Sequence, residues 1–210
     1  SLLARMPRLR MSAEGIRDTM LQISGLLELQ MGGEPIYPPQ PTGIWRHVGR
    51  NAPKYKTSTE TNRYRRGIYV IWRRSAPYPS FTNFDAPERT ACVVSRSRTN
   101  TPLQALTLLN DPMYWEMTKA LGQQIHSVRL ESLREQLRYA FVRTVSRNPS
   151  EREIDILEEL YKETVVQLSK RPKDLEALAG GKDKGASPEL GAWYYLANVL
   201  LNLDETITRN

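Results

Sequence analysis

The segment from Arg98 to Pro112 restricts the fold of this chain more than any other stretch, because nearly every residue in it has a positional meaning. Thr101 is a favourable helix N-cap, and Pro102 follows it at a position where a missing N–H costs nothing. Gln104 falls three residues after the cap, where its side chain can reach back to the cap backbone. The spacing therefore predicts a capping box formed by Thr101 and Gln104.

A short helix is predicted after this cap, and its residues are almost all apolar. They include Ala105, Leu106, Leu108 and Leu109. A helix of this composition is expected to be buried, and Asp111-Pro112 then repeats the cap and proline signal that begins another helix. We interpret the segment as a buried corner between two helices rather than a ligand site, because capping and burial explain its residues.

A first amphipathic helix is predicted from the N-cap Ser12 as far as Gly32-Gly33. Its apolar positions recur at helical spacing and are Ile16, Met20, Ile23 and Leu27. Glu14 and Asp18 lie one turn apart near its start, a spacing that suits paired carboxylates in a metal or acid/base site. The alternative, which we favour, is that they interact with the helix dipole and with the cation of Arg17.

The C-terminal half is predicted to be helical. One helix is expected from Pro112 to about Ser127 and another from Leu130 to about Ser146, each with a charged outer face. Ser150 and Glu153 form a second predicted capping box at the start of a third helix. The segment 171–187, which contains Gly180-Gly181 and a Lys-Asp-Lys run, is expected to be a mobile surface loop.

A last helix is predicted to begin at Ser187-Pro188. Its apolar stripe runs through Trp193, Leu196, Leu200 and Leu203. We assign this stripe to the core. An aromatic platform for a ligand, made by Trp193, Tyr194 and Tyr195, is the weaker alternative.

The middle of the chain lacks helical periodicity. Five prolines between Pro35 and Asn62 predict a long, ordered but irregular loop. Gly67–Trp72 is predicted to be a strand by its β-branched and aromatic residues, with Ala91–Val94 as a short partner. Another structured loop, residues 75–89, lies between them.

The expected fold class follows from these elements. We predict a mainly α protein, an irregular bundle of five to six helices with a small two-stranded β element and a long Pro-rich loop. Residues 1–210 are expected to form a single domain that is a fragment of a longer protein. Its parts are a first helix (1–34), a basic aromatic region (35–98) and a helical C-terminal part (99–210).

Cysteine and histidine content restricts the chemistry. Cys92 is the only cysteine, which excludes an internal disulfide, and it is expected to be a buried small apolar residue. No Cys-x-x-Cys-His motif is present, so no haem is expected in this segment. His47 and His126 match no metal-binding pattern, and we predict no metal site. No apolar run approaches 18 residues, which predicts no membrane span, and no export signal is recognised in the sequence.

Positive charge is concentrated in the middle of the chain. From Arg46 to Arg98 there are twelve Lys or Arg against three acids, Glu60, Asp85 and Glu88. Aromatic residues are interleaved with them, namely Trp45, Tyr55, Tyr64, Tyr69, Trp72, Tyr78, Phe81 and Phe84. One interpretation is a site that grips phosphate or sulfate groups and stacks on flat rings. The other is a scaffold in which arginines bind backbone carbonyls and carboxylates.

Candidate site residues come from this basic region. The ligand-binding candidates are Arg66, Arg73, Arg74, Arg98 and Trp72. Asp85 is expected to pair with Arg66, Arg73, Arg74 or Arg96, because surrounding cations keep a carboxylate ionised. It is also a weak catalytic candidate, since perturbed carboxylates in loops occur at active sites.

Four ordered motifs bring a family into view. They are Arg10–Asp18, Tyr64–Ser75, Phe84–Pro87 and Arg98–Pro112, and the likeness extends through Arg147–Glu153 to Leu201–Glu205. With these motifs the chain resembles the planctomycete surface domain family. In that family a domain of unknown function closes large exported proteins that also carry planctomycete-type cytochrome c domains. The resemblance implies export to the periplasm or cell surface, with any haem in a separate upstream domain. It supplies no activity for named residues.

Three functions therefore stay open from sequence. The leading one is a non-catalytic accessory or ligand-contacting module of an exported, c-type-cytochrome-linked surface protein, touching neighbouring domains or an anionic polysaccharide. The second is a hydrolytic or oxidative carbohydrate-active enzyme, with Asp85 as acid or base and Arg66, Arg74 and Arg98 holding an anionic group. The third is nucleic-acid binding, suggested by a pI near 9.6 but by no recognition-helix or RNP pattern.

Overall fold

The computed structural model describes residues 8–47, 54–179 and 187–209 and confirms a mainly helical protein. Within these ranges the chain forms two short strands, nine α-helices and three 3₁₀ turns. The elements are β1 (Leu9–Arg10), α1 (Ala13–Ile23), 3₁₀ turns Ile44–His47, Glu60–Tyr64 and Gly67–Tyr69, α2 (Pro79–Asn83), α3 (Pro102–Asn110), α4 (Pro112–Ser127), α5 (Leu133–Val145), α6 (Glu151–Lys170), α7 (Pro172–Ala179), α8 (Pro188–Leu201), α9 (Asp204–Ile207) and β2 (Thr208–Arg209). The helix count is therefore higher than the five to six predicted.

The chain divides into two compact units. The first comprises residues 1–117 and 207–210, and the second comprises residues 118–206. The boundary between the two units lies inside α4. None of the helices in the described ranges is long and apolar enough to cross a bilayer.

The small two-stranded sheet is confirmed, but it lies elsewhere than predicted. It pairs β1 with β2 in antiparallel register, Leu9 opposite Arg209 and Arg10 opposite Thr208. The predicted strand at Gly67–Trp72 is wrong, because the chain there makes a 3₁₀ turn and then a single parallel bridge from Val70 to Ile36. Its predicted partner, Ala91–Val94, is irregular and exposed.

Cys92 lies in that exposed segment, so its predicted burial is wrong. Val94 of the same short apolar run is also fully exposed. Four consecutive apolar residues predict burial, but no helix or strand holds this segment against the core.

The first helix is confirmed at its start and wrong at its end. The Ser12 hydroxyl accepts a hydrogen bond from the Gly15 N–H at 3.2 Å, which caps α1 as predicted. The helix ends at Ile23 rather than near Gly32, because Gly25 adopts a φ of 70° and turns the chain. The buried face of α1 includes Ile16, Met20 and Leu21, which form part of the core of the first unit.

The predicted capping box of α3 is wrong. Thr101 occupies the N-cap position, yet its side chain makes no capping hydrogen bond. The buried side chain of Gln104 instead accepts from the Arg10 guanidinium at 2.8 Å and donates to the Thr99 hydroxyl at 3.2 Å. Gln104 therefore connects α3 to β1 and to the loop that precedes α3.

The predicted burial of α3 is also wrong in large part. Leu108 is buried, but Leu103, Leu106 and Leu109 are 54%, 53% and 43% exposed. The helix turns its polar Gln104 inward and a row of leucines outward, the reverse of the expected arrangement. The second half of the corner is confirmed, because Asp111 accepts from the Met113 N–H at 2.8 Å and caps α4.

The second unit is built on the predicted C-terminal helices. The Ser150–Glu153 capping box is confirmed, with each side chain bonded to the other residue's backbone N–H. Glu153 also pairs with Arg147, whose guanidinium binds Glu205 as well and lies 4.8 Å from the ring centre of Phe141. One arginine thus connects α5, α6 and α9.

The predicted loop 171–187 is wrong over its first half, which forms α7. The nearest atoms to a Cβ built on Gly191 would be Leu168 Cδ1 at 2.5 Å and Leu175 Cδ1 at 2.9 Å. Only a residue without a side chain allows α8 to approach α6 and α7 this closely. The remainder of the predicted loop, residues 180–186, lies outside the described residues.

The last helix buries most of the predicted stripe, but it ends at Leu201, so Leu203 lies beyond it and is half-buried. Ser187 caps α8 by accepting from the Leu190 N–H at 3.2 Å, and Trp193, Leu196 and Leu200 are almost fully buried. Tyr194 is buried as well, and the Trp193 ring packs 5.0 Å from that of Tyr161. These rings are core residues of the second unit, which agrees with the favoured interpretation over the ligand platform.

Candidate functional site

The candidate site lies in the first unit, on a floor made by three extended segments. Ile36 is at the centre, and its N–H donates to Tyr69 while its carbonyl accepts from Ile71 at 2.9 Å. On the other side, Tyr37 and Ser58 exchange two hydrogen bonds of 2.9 Å. The Pro-rich loop predicted between residues 35 and 62 is therefore held in place on both sides.

Two buried arginines fix the end of this floor. Arg17 of α1 is 1% exposed and donates to the carbonyls of Arg65 at 2.5 Å and Arg63 at 2.6 Å. Arg65 in turn donates to the carbonyls of Gln30, Gly32 and Glu34. Burial lowers the pKa of Arg17 below its usual value, and the nearby tyrosines and Asp18 oppose that shift. Arg65 therefore fits the scaffold interpretation of the basic region, and Arg17, which lies outside that region, contacts the backbone in the same way.

Three aromatic rings pack edge to face behind the floor. The ring centres of Trp45 and Tyr55 are 4.9 Å apart, and that of Tyr37 lies 5.5 Å from Tyr55 and 6.1 Å from Trp45. The Tyr55 hydroxyl donates to the Pro38 carbonyl, and burial raises the pKa of Tyr55 above its usual value. The guanidinium of Arg73 lies 4.6 Å from the ring centre of Trp45.

An open cleft of about 880 Å³ is lined by two of these rings, those of Tyr37 and Trp45. Its lining includes the side chains of Tyr37, Trp45, Lys54, Lys56, Trp72 and Arg73, together with Glu34 and the hydroxyl residues Thr57, Ser58 and Thr59. Lys54 and Lys56 are exposed and both line the cleft, and Tyr55 between them is half-buried. No ion pair of Lys54 or Lys56 occurs among the side chains that the structure describes.

The ligand candidates predicted from sequence separate into two groups. Trp72 and Arg73 line the cleft. The other three do not: Arg66 lies 3.5 Å from Asp18, Arg74 is exposed, and Arg98 lines a small cavity beside α1. The Trp72 indole N–H donates to the Glu88 carbonyl at 3.3 Å, and the Arg89 guanidinium lies 4.9 Å from its ring centre.

Asp85 makes different contacts from those predicted. Its carboxylate accepts from the Thr99 N–H at 2.7 Å and from the Thr99 hydroxyl at 2.9 Å. No ion pair joins Asp85 to an arginine within the described residues, so the predicted pairing is wrong. Its φ of 59° shows that the turn after α2 is a tight one, and the contact with Thr99 holds the chain entering α3. The catalytic role of Asp85 stays an untested prediction.

The paired carboxylates of α1 are both occupied. Glu14 pairs with Arg96 at 2.8 Å. Asp18 accepts from the Gly67 N–H at 2.6 Å and lies 3.8 Å from Arg17. The Asp18 contact agrees with the favoured interpretation, whereas Glu14 pairs with Arg96 rather than with Arg17. No group of three or more His, Cys, Asp or Glu side chains suited to a metal ion occurs in the described part of the chain.

Sequence reasoning missed Lys54, Lys56, Tyr37 and Glu34 as site residues. The available signal was the alternation of Lys54, Tyr55 and Lys56, a pattern that places two cations on one face of an extended segment and an aromatic ring on the other. The proline content of this region predicts a loop, and that prediction does not take the alternation of charged and aromatic residues into account.

Comparison with known proteins gives a family and nothing finer. No curated protein and no solved structure matches the chain. The model of the PSD1 family, described as a protein of unknown function (DUF1553), matches residues 1–161, a span that contains the whole cleft. Since that match covers more than half of the 210 residues, the chain belongs to this family of proteins of unknown function.

Proposed function

We propose that this protein is a non-catalytic, ligand-contacting module that binds an anionic polysaccharide in the cleft. The observation that carries the proposal is the combination of three cations, Lys54, Lys56 and Arg73, with the aromatic side chains of Trp45 and Trp72 around one open cavity. Cations attract acidic groups, and Trp72, which is only half-buried, offers an aromatic surface beside them. Its volume of about 880 Å³ falls within the usual range of ligand sites, roughly 300–1,000 Å³.

The fixed floor supports binding rather than bond cleavage. The aromatic rings are locked by mutual packing, and the backbone beneath them is hydrogen-bonded on both sides. Such a surface is preorganised, so little conformational freedom is lost when a ligand binds. The one carboxylate that lines the cleft, Glu34, is exposed, and the described lining offers it no second carboxylate as a partner for acid/base chemistry.

The wider setting of the module is also a proposal. The resemblance to planctomycete surface domains supports an exported, multidomain protein linked to c-type cytochrome domains. A module of that kind would hold its protein on acidic surface polymer and would leave electron transfer to other domains. The sequence of the complete gene tests this setting: a signal peptide and an upstream Cys-x-x-Cys-His motif are expected, and a full-length protein lacking both would contradict it.

The cleft is tested by binding of dextran sulfate and polygalacturonate, measured by isothermal titration calorimetry with neutral dextran as a reference. The test variant is Lys54→Gln/Lys56→Gln. We expect it to bind either acidic polymer about tenfold more weakly than the wild type, and we expect binding to weaken as added salt shortens the Debye length below about 10 Å. Neutral dextran should bind weakly to both proteins.

The matched control is Arg74→Gln/Arg98→Gln, which removes the same charge from two exposed side chains outside the cleft. We expect it to bind within about twofold of the wild type, because only cations that line the cleft touch the polymer. Equal losses in the two double variants would mean that the polymer responds to net charge alone. Unfolding midpoints of both variants should match the wild type, since exposed charges contribute about 0 to 1 kcal/mol.

A further inference from the structure

A second cavity of about 330 Å³ adjoins the cleft. The two share four lining residues, Glu34, Pro35, Ser58 and Thr59. Beyond them the second cavity is lined by Gln30, Gly33, Ile36, Asn62 and Arg65. Because the four shared residues border both cavities, the two cavities adjoin each other in the first unit, and we call the pair the groove.

The two ends of this groove differ in chemistry. The cleft end contains the cations of Lys54, Lys56 and Arg73 and the aromatic rings. The far end is lined by the exposed, uncharged amide residues Gln30 and Asn62. Its one cation, Arg65, is committed to the protein, because all of its guanidinium nitrogens donate to backbone carbonyls.

Glu34 lies where the two ends meet, among the hydroxyls of Ser58 and Thr59. A carboxylate at that point repels an anionic group and accepts hydrogen bonds from sugar hydroxyls. Amides and hydroxyls on the far side serve the same neutral hydroxyl groups as donors and acceptors. The far end is therefore suited to an uncharged, hydroxyl-rich ligand unit.

We propose that the groove binds an oligosaccharide segment in which acidic and neutral sugar units alternate. The acidic unit occupies the cleft beside Lys54 and Lys56, and the neutral unit lies past Glu34 against Gln30 and Asn62. This inference rests on the proposed function and adds to it the charge pattern and the minimum length of the ligand. A polymer with an acidic group on every unit, or a single-stranded nucleic acid with a phosphate on every nucleotide, would bring a negative charge against Glu34.

The experiment compares oligosaccharides of defined length by titration calorimetry. The alternating probe is hyaluronan hexasaccharide, in which a uronic acid alternates with a neutral acetylated amino sugar. The acidic unit alone is represented by glucuronic acid, and the uniformly acidic probe is hexagalacturonate. We expect the wild type to bind the hyaluronan hexasaccharide about tenfold more tightly than glucuronic acid, and more tightly than hexagalacturonate.

Two variants assign this preference to the far end of the groove. Gln30→Ala/Asn62→Ala should reduce the gain from glucuronic acid to hexasaccharide to about twofold and leave glucuronic acid binding unchanged. Glu34→Gln should strengthen hexagalacturonate binding more than hyaluronan binding, because it removes the repulsive charge. Both substitutions involve exposed side chains, and circular dichroism spectra should match that of the wild type.

The possible failures are distinguishable. If hexasaccharide and glucuronic acid bind equally, or if the far-end variants change nothing while Lys54→Gln/Lys56→Gln still weakens binding, the two-part groove is overturned and the proposed function stands. If no oligosaccharide binds, the proposed function itself is overturned. Tighter binding of a single-stranded oligonucleotide than of any sugar would overturn both in favour of nucleic-acid recognition.

Discussion

At the scale of single residues, buried arginines determine how the site is held. Arg17 reaches from α1 to the backbone of the 60–65 turn, and Arg65 reaches from that turn to the loop containing Glu34. Each guanidinium offers several donors in a rigid plane and can bind carbonyls that a sheet would otherwise satisfy. The irregular floor of the groove is thus built on side chain to backbone hydrogen bonds.

Replacing Arg17 by Met should destabilise the protein strongly. Two carbonyls would lose their donors, at about 1 to 3 kcal/mol each, while removal of a buried charge offsets part of that cost. We expect the free energy of unfolding to fall by about 2 to 4 kcal/mol in urea denaturation. The matched control is Arg74→Met, at an exposed arginine, which should change stability by no more than about 0.5 kcal/mol. Equal effects of the two substitutions would contradict the assignment.

Residue types in the site were predictable in part. A run of arginines among aromatic residues indicated both a scaffold and a ligand surface, and the structure contains both uses: Arg65 binds carbonyls and Arg73 lines the cleft. Whether an arginine binds backbone carbonyls or lines the cleft depends on contacts between residues far apart in sequence, such as Arg17 with Arg65. Local sequence patterns do not encode those contacts. They therefore predict the same ligand-binding role for Arg66, Arg74 and Arg98 as for Arg73.

At the scale of elements, two motifs with the same sequence pattern form different structures. Ser150 and Glu153 make a capping box, whereas Thr101 and Gln104 do not, because Arg10 and Thr99 bind the Gln104 side chain instead. A capping box contributes about as much to the free energy of unfolding as a few competing side-chain hydrogen bonds. Tertiary partners therefore decide whether it forms.

This difference predicts different costs for the two cap substitutions. Ser150→Ala should lower the free energy of unfolding by about 1 kcal/mol, within the usual range for a cap. Thr101→Ala should cost less than about 0.5 kcal/mol, because its side chain makes no capping bond. Urea denaturation of the two variants in parallel measures both values. A larger cost for Thr101→Ala would contradict the structure, because it would indicate a capping hydrogen bond that the structure does not contain.

Close packing of helices within the second unit gives a further prediction. A Cβ on Gly122 would lie 2.7 Å from Tyr194 Cδ1 and 3.1 Å from the Trp193 carbonyl group. In an open helix Gly→Ala gains up to about 1 kcal/mol, but here the backbone of α8 would have to move. We expect Gly122→Ala to destabilise by about 1 to 3 kcal/mol in thermal and urea unfolding.

Gly15→Ala is the comparison for that substitution. The nearest atoms to its new Cβ are Ser12 Oγ at 3.2 Å and Met11 Cβ at 3.7 Å, both on side chains rather than backbone. Its effect should be smaller than that of Gly122→Ala, since side chains can shift more easily than helix backbone. If Gly122→Ala stabilised the protein, α4 and α8 would not be in the close contact described here.

Element identities were more predictable than element surroundings. Caps and apolar spacing predicted the starts of α1, α4, α6 and α8 correctly. The apolar content of α3 and of Ala91–Val94 predicted burial, and both segments are largely exposed. Composition shows that a segment is apolar, but whether other elements cover it depends on the tertiary fold.

At the scale of the whole molecule, the two units carry carboxylates with opposite pKa shifts. In the first unit, burial raises the pKa of Asp111 to about 6, despite its hydrogen bonds from backbone N–H groups. In the second, Arg147 and the Ser150 backbone lower the pKa of Glu153 to about 2. Hydrogen bonds from Arg138 and Arg134 likewise lower the pKa of Glu151. Acidification should therefore act on the two units in opposite directions.

The signs follow from the folded and unfolded pKa values. Asp111 binds protons more readily when folded, so its contribution to stability is fully present below its usual pKa of 3.8 and is lost as pH rises through about 6. Glu153 binds protons less readily when folded, so its contribution is present above its usual pKa of 4.5 and is lost as pH falls towards about 2. The first effect is at most about 3 kcal/mol, at about 1.4 kcal/mol per pKa unit.

Amide hydrogen exchange resolved by helix tests this prediction. After correction for the intrinsic pH dependence of exchange, protection at the start of α4 should increase from pH 7 to pH 5, while protection of α6 stays constant. From pH 4.5 to pH 2.5 protection at the start of α6 should decrease. Asp111→Asn should abolish the first change and Glu153→Gln the second, because each variant removes the titrating group and retains a polar side chain. A decrease in protection of both helices over the whole range would contradict the raised pKa of Asp111, since only a carboxyl that is easier to protonate in the folded state stabilises its unit in mild acid.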